Sequence, residues 1–237
     1  MNEKDRLAVF QAQTVNVRKL EQVQRHLTRS INLALRKGDK SSAEVHTKCL
    51  ALVFCAWVEA NFSKLIHTPH GFTLDEIEQI KREDGRARSI ESAWQKTVEL
   101  GLMRIKTSPK SSFLPNRKQE ILRLVQTHVV EPSLTRNKIA HGQWQVALNR
   151  ENTTVAPDAT HTIQNLDVVA LTRWFATHRY LASIVEALIE SPNKAFHRDY
   201  WSFVTDLKQY LEDTARWTMD TKIVSLLRKP HRKDNSA

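Results

Sequence analysis

The sequence predicts an all-α protein. It has only 5 glycines and 7 prolines in 237 residues, and so few turn-forming residues favour a small number of long helices over many short strands. Apolar residues also recur at three- and four-residue intervals over long segments, which is the spacing of one helical face. The hydrophobic content of 41% and charged content of 26% are ordinary for a folded globular chain.

Two helices are predicted in the first part of the chain. The first covers residues 7–35 and ends at Gly38, because glycine readily adopts the left-handed conformation that terminates helices. Ser41 and Glu44 have the spacing of a capping box, so a second helix is expected from there to about residue 67. The middle of this second helix is apolar nearly all round, which is typical of a central core helix.

The next predicted helix is charged. Thr73 and Glu76 form a second capping-box pattern, and the helix is expected to reach about residue 100, with Gly101 as its stop. Asp84-Gly85 is a point at which this helix can be interrupted. A basic stretch without acidic residues, residues 104–118, follows and is predicted to be a surface loop.

A kinked helix is predicted after this basic stretch. Asn116 is expected to cap it, and Pro132 is expected to kink or restart it, because proline cannot continue the backbone hydrogen-bond ladder. The restarted segment, residues 133–141, ends at Gly142. The elements predicted after Gly142 are a short β-hairpin around residues 149–152 and two helices, residues 166–190 and 197–227.

We predict one helical domain, residues 41–227, preceded by an N-terminal helical extension, residues 1–40, and followed by a basic flexible tail, residues 228–237. The formal charge is +10 and the pI is about 9.8, which favours polyanionic partners. No signal peptide or membrane-spanning run is recognised, so a cytoplasmic protein without a membrane partner is expected. No zinc motif or phosphate-binding loop is recognised either, so no metal or cofactor is predicted.

The most informative segment contains Arg136, Asn137 and His141. An arginine and a histidine five positions apart occur three times in the chain, so the spacing alone carries little information. The other two pairs are Arg123/His128 and Arg173/His178. Only in the middle pair does a polar residue follow the arginine and a helix-ending glycine follow the histidine.

Here the chain resembles the HEPN family (higher eukaryotes and prokaryotes nucleotide-binding domains), whose nucleases carry arginine, a polar residue and then histidine after four to six positions. The kinked helix, the helical order and the apolar helix that carries Glu59 are also similar, over roughly residues 41–190. The resemblance implies a HEPN-like helical bundle. It also implies a homodimer whose two motifs share one cleft, and an acidic residue near the motif, for which Glu59 is the candidate. A toxin or anti-phage defence role, with an antitoxin or regulatory protein as a further partner, would fit this family.

These residue types suit metal-independent RNA cleavage. RNA carries its own nucleophile, the 2′-hydroxyl, and histidine is the side chain that most readily exchanges a proton near neutral pH. Arginine can donate to the phosphate oxygens on which charge accumulates. The expected catalytic residues are Arg136, Asn137, His141 and Glu59. The cationic residues expected to hold the RNA backbone are Lys106, Lys110, Arg117, Lys118 and Lys138.

Two points stay open at this stage. Five residues of helix rotate by about 500°, which separates Arg136 and His141 by some 140° around the axis. Fraying at Gly142 or a second copy of the motif across a dimer interface would bring the two groups together. The alternative function is a non-catalytic HEPN-like module that binds nucleic acid or a protein partner.

Overall fold

A computed structural model describes residues 1–84, 90–106 and 113–228. These residues are mostly helical and contain no β-strand, which confirms the all-α prediction. Their helices are α1 (Glu3–Arg36), α2 (Lys40–Ile66), α3 (Leu74–Asp84), α4 (Ile90–Met103), α5 (Phe113–Val125), a π-helical turn (Gln126–Val130), α6 (Glu131–Ala140), α7 (Pro157–Gln164), α8 (Val168–Glu190), α9 (Ala195–Asp213) and α10 (Met219–Arg228).

The core is organised around α2, as its apolar sequence predicts. This helix packs along α1 and also contacts α8 and α6. Phe54 and Trp57 of α2 pack against Phe175 of α8, with ring centroids 5.0 and 5.3 Å apart. Among the described residues, α2 is also the one helix long and apolar enough to cross a membrane, but 56% of its most apolar stretch is buried inside the fold.

The helix ends follow the predicted signals in part. Gly38 has a φ of +73° just after α1, as expected, and Thr73 and Glu76 form the predicted capping box before α3. The prediction of Ser41 as a cap is wrong, because the side chain of Asp39 accepts the hydrogen bond from the Ser42 amide at 3.0 Å. Asp39 has the same capping chemistry and lies directly after the glycine turn.

Gly101 does not end a helix. It lies inside α4 and faces α8, where an added Cβ would be only 2.7 Å from Cγ of Leu188. The glycine is therefore required for the close approach of two helices. Of the charged helix predicted over residues 73–100, the structure describes α3, which ends at Asp84, and α4, which begins at Ile90. Gly85 of the predicted interruption lies outside the described residues.

The kink predicted at Pro132 takes the form of a π turn. The Glu131 amide donates to the Gln126 carbonyl, which widens the helix just before the proline. Pro132 then lies in the first turn of α6, where its missing N–H is best tolerated. Asn116 is not a cap, because α5 already begins at Phe113.

The chain after Gly142 differs most from the prediction. Within the described residues, a single antiparallel bridge between Leu148 and Val155 stands where the hairpin was expected, so a hairpin with strands is not confirmed. Helix α7 was not foreseen, and the helix predicted over residues 197–227 is divided into α9 and α10. Most of the predicted basic tail lies outside the described residues.

Candidate functional site

His141 occupies the end of α6, in a fixed turn. The Gly142 amide donates to the Ile139 carbonyl at 3.1 Å and the Gln143 amide donates to the Lys138 carbonyl at 3.0 Å. With Gly142 at a φ of +79°, this is the Schellman arrangement that closes a helix. The indole of Trp144 adds a hydrogen bond to the Ile139 carbonyl at 3.0 Å. His141 is consequently held at the helix terminus with its side chain exposed.

An open groove of about 1080 Å³ lies beside this turn. Three of the motif-region residues line it together, namely Asn137, Lys138 and His141. The opposite side is formed by the turn around residues 148–152, which contributes Arg150. The groove therefore combines an imidazole, amide groups and cationic side chains, a set that can bind a phosphodiester and exchange protons with it.

The turn opposite α6 is fixed by its own polar contacts. The Lys138 ammonium donates to the Leu148 carbonyl, and the Leu148 amide donates to the side chain of Gln143 at 2.8 Å. Asn149 accepts from the Thr153 amide at 2.8 Å, in a turn stabilised by the asparagine side chain. The groove is thus shaped by contacts between α6 and the turn that follows it.

Arg136 lies on a different side of α6. Its guanidinium forms an ion pair with Glu59 of α2. Cys55, one helical turn before Glu59, lies beside the same guanidinium. Burial raises the pKa of the Cys55 thiol to about 11, despite the opposing effect of Arg136. The arginine therefore connects α6 to the core helix α2.

The structure does not bring all the predicted catalytic residues into one pocket. Glu59 lines a separate cleft with Phe62 and Lys81, and Arg136 is not among the residues that line the groove of His141. The angular separation expected from a straight helix is therefore retained. Because the Schellman turn is intact, fraying at Gly142 does not reunite the two groups.

The histidines of the other two arginine–histidine pairs are buried, whereas Arg123 is exposed. His178 is fully buried and burial lowers its pKa to about 3, with smaller effects from His128 and Arg179. Burial also lowers the pKa of His128 to about 4. Neither imidazole reaches solvent as His141 does, so the sequence context that singled out the middle pair also singled out the exposed histidine.

The predicted RNA-binding cations have different surroundings. The assignment of Arg117 to an exposed loop is wrong. It lies in α5, is 3% exposed, and its guanidinium carbon is 3.5 Å from the Phe113 ring centroid and 4.2 Å from that of Tyr200. Burial lowers its pKa to about 10. Of the others, Lys106 is exposed, Lys118 is half-buried in α5, and Lys110 lies outside the described residues.

Four polar groove residues were not recognised as site residues from the sequence, and Asn149 and Asn152 of the turn are two of them. Arg150 and Gln143 line the groove beside Asn137. Both lie within ten residues of the motif, and the turn-forming composition around Asn149 was the available signal that the chain folds back toward α6. In the described parts of the chain, no group of three histidine, cysteine, aspartate or glutamate residues could hold a metal ion.

In comparisons with known proteins, no protein-family model, curated protein or solved structure matches the chain.

Proposed function

We propose that this protein is a metal-independent endoribonuclease with a HEPN-like helical bundle, in which His141 transfers the proton. The observation that carries the proposal is the exposed imidazole, fixed at the end of α6 and opening onto a groove lined with amide and cationic groups. The net charge of +10 supports a polyanionic substrate.

The reaction needs no group beyond the RNA and this chain. The 2′-oxygen attacks the adjacent phosphorus, and the bond from phosphorus to the 5′-oxygen breaks. His141 takes the proton from the 2′-hydroxyl or supplies one to the leaving 5′-oxygen, with water completing the exchange. Asn137 and Arg150 donate to the phosphate oxygens in the groove. The products are a 2′,3′-cyclic phosphate and a 5′-hydroxyl.

The role of Arg136 leads to a proposed homodimer. In one subunit it is held by Glu59 and does not line the groove of His141. A partner subunit would supply the second guanidinium at the same phosphate. Leu134 and Val146 support this arrangement, because both line the groove and remain 59% and 46% exposed. Burying them between two copies would remove apolar surface from water.

A second candidate function is a non-catalytic HEPN-like module that binds nucleic acid or a protein partner. The observation in its favour is the same separation of Arg136 from His141 within one chain. Such a module would use the groove to hold a strand without cleaving it.

Incubation of the purified protein with RNA in excess chelator separates the two candidates. We expect cleavage by the wild type, and loss of cleavage in His141→Ala and Arg136→Ala with the helical content unchanged by circular dichroism. His161→Ala is the matched control, since His161 is an exposed histidine on α7 outside the groove lining, and it should cleave normally. Equal cleavage by wild type and both motif variants would refute the assignment, and binding without cleavage would favour the module.

A toxin or defence role, exercised on RNA in the cytoplasm, is part of the same proposal. Expression of the wild-type chain is then expected to arrest cell growth, whereas expression of His141→Ala to the same level should not. Growth arrest by both proteins would show that the toxicity does not depend on cleavage by His141. An antitoxin or regulatory protein would be sought as a factor that restores growth in the presence of the active chain.

A further inference from the structure

Helix α1 carries a row of arginines that the groove does not use. Arg18, Arg25 and Arg29 are separated by seven and four residues, which places them within an arc of about 40° on the helix. They extend over about 16 Å of its length. All three side chains are exposed, and in the described parts of the chain no hydrogen bond or ion pair holds any of them.

Among the described residues, some surface arginines are paired with a neighbouring acid, whereas these three are not. Arg82 is paired with Glu78 and Arg198 with Asp199. Glu21 lies at the edge of the arginine row, one turn before Arg25, but it is half-buried and no ion pair joins them. From Gln22 to the end of α1 the sequence contains no acidic residue. The row therefore presents uncompensated positive charge.

We propose that Arg18, Arg25 and Arg29 bind the sugar-phosphate backbone of RNA. Arginine donates in a planar fork that matches phosphate oxygens, and a row along a rigid helix can contact successive parts of a strand. An anionic membrane is the less suitable partner. An interfacial helix needs a continuous free apolar face. Ile31 and Leu35 of α1 are buried in the core, and the exposed apolar residues of this helix, Leu7, Val15 and Leu33, lie far apart along its length.

This surface is separate from the groove, because α1 packs on α2 and α10 while the groove is formed by α6 and the turn after it. The inference rests on the proposed function only in naming RNA as the partner, and it does not require cleavage. The two proposals can therefore fail independently.

The test is RNA binding by a triple variant, Arg18→Gln, Arg25→Gln and Arg29→Gln. Glutamine keeps a good helix propensity, and circular dichroism checks that α1 remains folded. The matched control replaces the same number of exposed cations elsewhere, Arg82→Gln, Lys194→Gln and Arg216→Gln. Affinity for a fluorescent single-stranded RNA is measured by anisotropy at several salt concentrations, with all proteins carrying His141→Ala so that the probe stays intact.

We expect the α1 variant to bind RNA on the order of tenfold more weakly or worse at physiological salt, while the control changes much less. The slope of log affinity against log salt should decrease by about 2, because about 0.7 counterions are released for each single-strand phosphate contacted. Equal affinity and slope in the α1 and control variants would overturn the inference. The inference would also be overturned if the α1 variant lost binding to phosphatidylserine vesicles but kept its RNA affinity. Binding by the wild type without any cleavage would refute the nuclease and leave this surface standing.

Discussion

His178 is a buried side chain whose protonation is expected to affect the stability of the whole protein. Its ring lies among Phe54, Trp57 and Trp94, with centroid distances of 6.2, 5.0 and 5.7 Å. Among the residues that the structure describes, neither ring nitrogen has a hydrogen-bond partner. A protonated imidazole in this position would be an unpaired buried charge, which is strongly unfavourable. The folded protein therefore holds the ring neutral.

We expect the free energy of unfolding to decrease as the pH falls from 7 toward 4. The pKa of His178 is lowered to about 3 and that of His128 to about 4, whereas an unfolded histidine titrates near 6.5. Between these values the unfolded chain binds protons that the folded chain cannot. Stability is therefore lost on acidification, by up to about 1.4 kcal/mol per pH unit for each histidine. Urea unfolding at pH 7 and pH 5 measures the loss.

The same measurement on His178→Leu assigns part of this loss to one residue. The substitution removes the titrating group and both unpaired nitrogens, so the variant should lose less stability between pH 7 and pH 5 than the wild type. The exposed histidine replaced in His161→Leu serves as the control and should leave the pH dependence unchanged. A His178→Leu protein with the wild-type pH dependence would contradict the explanation.

Sequence context singled out a histidine that is exposed, His141, but it misjudged the exposure of Arg117. The sequence context of His141, a helix-ending glycine after a short apolar pair, is local, and the exposed position of the ring follows from it. The position of Arg117 depends on α9, which supplies Phe196 and Tyr200 to its aromatic surroundings. From the sequence alone, a residue in a basic stretch is predicted to be exposed, because the helix that covers it lies far away in the chain.

At the scale of helices, an end could be predicted where neighbouring residues in the sequence determine it. It could not be predicted where a contact with a distant part of the chain determines it. Gly38 and Gly142 both follow a helix with a positive φ, as glycine placement implies. The start of α7 at Pro157 had a local signal, proline in the first turn, that was overlooked. The break between α9 and α10 is different, because Thr214 there accepts a hydrogen bond from Arg173 of α8 at 3.0 Å. That contact joins residues far apart in the sequence.

The turn that ends α6 gives a matched pair of glycine substitutions. Gly142→Ala and Gly38→Ala place a Cβ at φ values of +79° and +73°, and neither Cβ would meet an atom of another described residue within 4 Å. Each should therefore destabilise the protein by about 1 kcal/mol through backbone strain alone. The two variants differ in position, because the turn at Gly142 holds His141 whereas the turn at Gly38 connects α1 to α2.

Because Gly142 fixes the position of His141, we expect Gly142→Ala to reduce RNA cleavage by about tenfold or more, as small displacements of reacting groups are costly. Gly38→Ala lies between α1 and α2 and should cleave as the wild type does. Thermal unfolding and cleavage rates measured side by side provide the test. An equal effect on cleavage in both variants would show that the loss reflects stability and not the position of the imidazole.

For the whole molecule, the proposed reaction requires Arg136 and His141 to act on one phosphate, although one chain holds them on different sides of α6. The ion pair with Glu59 holds Arg136 on the α2 side, and the Schellman turn holds His141 beside the groove. Moving either side chain toward the other within one subunit would break the ion pair with Glu59 or the hydrogen bonds of the turn. A two-fold dimer satisfies both constraints, because each subunit can offer its arginine to the groove of its partner.

Mixing the two inactive variants tests this arrangement directly. Arg136→Ala and His141→Ala, unfolded and refolded together in equal amounts, should form mixed dimers in which one of the two sites has both groups intact. Roughly a quarter of the wild-type activity is then expected to return, since about half of the dimers are mixed and each has one working site. Sedimentation velocity verifies the dimer, and each variant refolded alone is the control. If a dimer forms and the mixture stays inactive, the two groups do not meet across subunits, and the division of roles between Arg136 and His141 proposed here is wrong.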